Sequence, residues 1–74
     1  MKVKIDTVNE SYTLPFSTKE LFELFTEQVK VALLDETNTK GAKYESDKTS
    51  MYFPSLLLKN SVVEISKDSQ VFFF

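Results

Sequence analysis

The sequence predicts an α+β domain: a small, mainly antiparallel β-sheet of about four to five strands with one amphipathic helix on one face. Three observations carry this. Two short segments near the start alternate polar and apolar residues across a polar turn, as the strands of an N-terminal hairpin do. A helix-start signal follows at Leu14-Pro15-Phe16-Ser17-Thr18-Lys19-Glu20-Leu21. After it, apolar runs separated by turn residues return as strands, with no second long amphipathic stretch.

The first strand places Val3 and Ile5 opposite Lys2, Lys4 and Asp6. Val8-Asn9-Glu10-Ser11 reads as the turn, and Tyr12, Leu14 and Phe16 form the apolar side of the second strand. Pro15 keeps Leu14 extended. Ser17 is the expected N-cap, with Glu20 reaching back to complete a capping box and Phe16 stapling onto Leu21. Leu21, Phe22, Leu24, Phe25 and Val29 form the expected apolar face, with Lys19, Glu23 and Thr26 outward or on the flank. Residues 29–34 also show strand-like alternation. The absence of Gly or Pro between Thr18 and Leu34 favours one helix to about Leu33.

Asp35 to Ser50 is the most polar stretch and reads as a mobile connection, with Ala42-Lys43-Tyr44 as a short edge strand within it. Met51-Tyr52-Phe53-Pro54 reads as a strand ended by proline. Leu56-Leu57-Leu58-Lys59-Asn60 suits a helical turn opened by Ser55. Ser61–Ile65 and Gln70–Phe74 are the last strands, joined by a turn at Lys67-Asp68-Ser69.

The chain has 74 residues, room for one domain over 1–74. Without Cys it has neither a disulfide framework nor thiolate metal ligands, so its core must come from aliphatics and seven Phe. With no Cys and no His, it lacks the strongest side-chain nucleophile and the common general base near neutral pH, and an enzyme is not expected. Glu20, Glu23 and Glu27 share one helix side at spacings of three and four, and read as a solvated face rather than a cation site. Asp35-Glu36-Thr37-Asn38 lacks the spacing of a calcium loop, and the isolated Gly41 cannot build a phosphate cradle. No metal, cofactor or small-molecule substrate is expected.

A net charge of −2, with all nine cations Lys, gives no basic field and no arginine fork for reading bases or phosphates. Nucleic acid is therefore not the expected partner. The alternative to weigh is single-strand binding by Lys and Tyr residues of 40–52, Tyr44 and Tyr52 serving as stacking platforms. No run approaches the ~20 apolar residues of a membrane span, and Met1-Lys2-Val3-Lys4 begins a strand rather than a leader. A cytoplasmic protein is expected, without membrane contact.

Phe72-Phe73-Phe74 points elsewhere. Successive strand residues face opposite sides, so three consecutive Phe cannot all enter one core. Leu56-Leu57-Leu58 raises the same difficulty. A small sheet with one helix also leaves a face uncovered, and exposed apolar surface marks interaction sites. The expectation is a non-enzymatic protein–protein interaction module, such as a small inhibitor or regulator encoded by a phage or mobile element. It would bind a protein partner or a second copy of itself through Phe72, Phe73, Phe74, Leu57, Tyr52 and Tyr44.

Overall fold

The structure, a computed structural model, describes residues 1–74. The order is β1 (Lys2–Asp6), β2 (Ser11–Pro15), α1 (Lys19–Leu34), β3 (Gly41–Glu45), β4 (Ser50–Pro54), α2 (Ser55–Lys59), β5 (Val62–Lys67) and β6 (Gln70–Phe73). This is the α+β architecture, with its strands divided between two sheets. A four-stranded antiparallel sheet runs β2-β1-β5-β6, and β3 and β4 form a separate two-stranded hairpin.

Alternation fixes the faces of the larger sheet. Val3 lies between Leu14 and Ile65, and Ile5 between Tyr12 and Val63. All of these except Tyr12 are buried, and Tyr12 packs at the margin of the core. The opposite side carries Lys2, Lys4, Asp6, Thr13, Glu64 and Ser66, so water can cover it without a second layer. Helix α1 and the β3–β4 hairpin close the apolar side, contributing Phe22, Phe25, Val29, Ala32, Ala42, Tyr44 and Phe53.

In α1 the buried positions are Phe22, Phe25, Thr26, Val29 and Ala32, a continuous helical stripe through the segment whose alternation also suited a strand. The helix runs to Leu34, which points to solvent. Leu21 and Leu24 lie on the margin of the stripe and are about half exposed, correcting the expected face. Thr26 is buried instead, its hydroxyl donating to the Glu23 carbonyl at 3.0 Å. The cap also differs from expectation. Thr18, not Ser17, is the N-cap, its hydroxyl accepting the Leu21 N–H at 3.2 Å. The position three residues on is then apolar Leu21 rather than Glu20, so no capping box forms. With Thr18 as the cap, Phe16 no longer holds the staple position just before it, and its ring meets Phe22, Phe25 and Tyr44 at separations of 5.7, 5.4 and 5.3 Å.

Asp35 organises the segment after α1. Its carboxylate accepts the backbone N–H groups of Thr37, Thr39 and Lys40 at 3.0, 2.9 and 2.9 Å, and the Thr37 hydroxyl at 2.6 Å. Asn38 adopts φ 56°, a left-handed conformation that Asn tolerates, and its Oδ1 accepts from Lys59 Nζ at 2.6 Å. Lys59 also donates to the Asp35 carbonyl, tying α2 to the end of α1. The expected mobile connection is thus a hydrogen-bonded turn leading into a full strand, β3. Ser55 is not the α2 cap either. It is fully buried, and its hydroxyl donates to the Ala32 carbonyl at 2.7 Å.

The Thr37 hydroxyl, and then the Lys40 backbone N–H, hold the Asp35 carboxyl well below the usual carboxylate range. A lowered folded-state pKa adds stability that is complete above the unfolded value of about 3.9 and is lost as pH falls through it towards the folded value. Asp35→Asn is therefore expected to lower the thermal midpoint at neutral pH, with the gap to wild type narrowing below about pH 4. Thermal scans across that range check it, and a gap independent of pH would contradict it.

Candidate protein-interaction surface

Strand β6 ends the larger sheet, and β5 pairs with only one side of it. Ile65 stands opposite Phe72, Glu64 opposite Phe73 and Ser66 opposite Val71. Phe72 and Phe74 therefore share the core-facing side with Ile65 and Val63, while Val71 and Phe73 lie on the polar side. Helix α1 does not reach far enough to cover the first pair. Phe72 is 49% exposed, Phe74 48%, and Phe73 on the other side 65%. Between α1 and β6 lies an open groove of about 440 Å³, lined by Phe22, Thr26, Lys30, Ile65 and the three Phe. Lys67 and Glu23 face each other across it at 3.8 Å.

The backbone of β6 is equally open. Phe74 N–H donates to the Val63 carbonyl at 2.9 Å, and Val63 N–H to that of Phe74 at 3.4 Å. Antiparallel alternation then turns the N–H and C=O of Val71 and Phe73 away from β5, towards solvent.

Each of the other sheet edges carries a feature that discourages pairing. On β2, the bonds Phe16 N–H to Met1 O (3.1 Å) and Thr7 N–H to Glu10 O (2.8 Å) turn Ser11, Thr13 and Pro15 outward. On β4, the bonds Ser55 N–H to Lys40 O (3.0 Å) and Ser46 N–H to Thr49 O (2.8 Å) turn Ser50, Tyr52 and Pro54 outward. Each of these edges thus carries a proline at an outward position, where an N–H would otherwise invite pairing. On β3, Gln28 Oε1 of α1 accepts the Lys43 N–H at 2.9 Å, and Lys43 and Glu45 pair at 2.7 Å on the exposed side. Strand β6 has no proline, no charged side chain and no covering element.

The remaining sequence-derived positions do not join this surface. Tyr44 is buried, its hydroxyl donating to the Pro15 carbonyl at 2.9 Å, and its ring meets those of Phe16 and Phe25 edge to face. It is therefore a core residue and not an open contact or a stacking platform. Leu57 is half-buried against the core, whereas Leu56 beside it is exposed. Tyr52 is exposed, but on β4 opposite Lys43, in the hairpin rather than the larger sheet. Sequence reasoning picked out the Phe run and missed Val71, whose outward backbone depends on which pairs of the hairpin are hydrogen-bonded. The prolines at 15 and 54 were legible, but as chain-directing and strand-ending residues rather than edge blocks.

No group of three or more Asp or Glu side chains is placed to hold a metal ion, and no helix is long and apolar enough to cross a membrane. Compared with protein-family models, with curated proteins and with solved structures, the chain matches none.

Proposed function

We propose that this chain is a non-enzymatic protein-interaction module that binds an extended segment along β6, as a cytoplasmic regulator or inhibitor would. The observation that carries the reading is the contrast among edges: the others carry a proline or a side-chain contact at an outward position, and β6 is uninterrupted and aromatic. Strand addition takes its affinity from main-chain hydrogen bonds and its selectivity from alternate side chains. On β6 the bonds would come from Val71 and Phe73, and the side-chain sites from the groove beside Phe72 and Phe74.

Selecting from a library of extended peptides against the full chain tests this. Enriched peptides should carry alternating apolar residues and should lose binding to Phe73→Lys, which places a charge on the edge without touching the core. Enriched peptides that bind this variant as well as wild type would overturn the proposal, as would a failure to enrich any sequence.

A further inference from the structure

Resting on the reading of β6 as a binding edge, we infer that its occupant is a second copy of this chain, paired antiparallel about a two-fold axis at Phe72. Three antiparallel self-pairings of β6 direct outward groups at one another: Val71 on Val71, Phe73 on Phe73, and Val71 on Phe73. Only the last engages every outward N–H and C=O of Val71 and Phe73 on both copies. It also sets Phe72 against Phe72 of the second copy as a non-hydrogen-bonded pair, the closer of the two pair types.

The side chains fit this register on both faces. On the core side the row Leu14-Val3-Ile65-Phe72 continues into the same row reversed in the second copy, giving an unbroken apolar ladder. On the polar side Phe73 meets Val71 of the second copy, and Val71 meets Phe73. Because β6 carries no charge, the two-fold axis brings no like charges opposite each other on the joined strands. The two-fold contact uses β6 of both copies, so pairing through this edge stops at two.

The size of the contact places it among small interfaces. A fully buried aromatic removes roughly 150–250 Å² from water, so the half-exposed Phe residues, Val71 and flanking backbone of two copies would bury about 1,000 Å² in total. That lies at the low end for specific interfaces, so the dimer should form and dissociate with concentration in the micromolar range or weaker.

Sedimentation equilibrium of the full chain across that range tests the inference, with Phe73→Lys and Val71→Glu measured alone and as an equimolar mixture. Wild type should shift reversibly from monomer to dimer. Each variant alone should weaken self-association about tenfold or more, because a charge enters an apolar row. The mixture should recover association, since this register sets Lys at 73 against Glu at 71 of the second copy. Association of the variants without recovery on mixing would overturn the register. Wild type that stays monomeric throughout would overturn the dimer, while leaving peptide binding at β6 free to stand or fall by its own measurement.

Discussion

Phe53→Ala is expected to destabilise the chain by about 3–5 kcal/mol, the range for emptying a large aromatic site in a core. Phe53 is 2% exposed and sits where three parts of the fold converge. Its ring lies edge-on to Tyr12 of β2 at 5.5 Å and to Phe25 of α1 at 6.2 Å, while its backbone pairs with Ala42 in the hairpin. Domains of this class have total stabilities of about 5–15 kcal/mol, and a short chain belongs at the low end. The variant should therefore unfold at much lower urea and show a substantial unfolded fraction in water. Phe53→Leu, which keeps most of the volume, should cost less than about half as much. Urea titrations followed by circular dichroism measure both. A Phe53→Ala loss below about 1 kcal/mol would mean that the β3–β4 hairpin is not part of the cooperative core.

Gly41→Ala is expected to destabilise by about 1–3 kcal/mol, the opposite of the usual gain when the unfolded chain loses freedom. The reason is space, not backbone conformation. A Cβ at Gly41 would overlap the Tyr52 ring at its hydroxyl end and come within 2.6 Å of the Phe53 carbonyl oxygen. The tyrosine can swing away, but the carbonyl belongs to the paired strand β4 and moves only if the hairpin opens. Combining Gly41→Ala with Tyr52→Ala should thus restore only part of the loss, which the same urea titrations would resolve. Full restoration would show that the ring alone sets the constraint.

The contrast between these two positions shows what was legible in the sequence. The N-terminal hairpin, the long helix, the α2 turn and the final pair of strands follow from alternation, helical spacing and turn residues, all of which act between near neighbours. Phe53 could be placed on a strand for the same reason. Gly41 was recognisable as the only glycine, but its purpose depends on Tyr52 and Phe53, which reach it only after β3 and β4 pair. Asp35 is similar: an aspartate in a polar stretch gives no sign that three backbone N–H groups will turn towards it. The orientation of α1 was missed because Leu21 and Leu24 are as apolar as the residues beside them. Tertiary packing on the sheet, not spacing, decides that Thr26 is buried and they are at the margin. At the interaction surface, the Phe run was visible, but the features that discourage pairing at the other edges were not, because they depend on which backbone groups each pairing turns outward.

The position of β1 between β2 and β5 bears on how the chain reaches this structure. One neighbour of β1 follows it directly in the chain, and the other lies beyond α1, the β3–β4 hairpin and α2. Until β5 pairs, Val3 and Ile5 have only the β2 side of their row, and an isolated two-stranded hairpin is marginal in water. Closing the sheet then requires contact between distant parts of the chain, a slow step compared with local helix formation. Folding would thus pass through a stage with the helix and hairpins ready and the central pairing of the sheet still to be made.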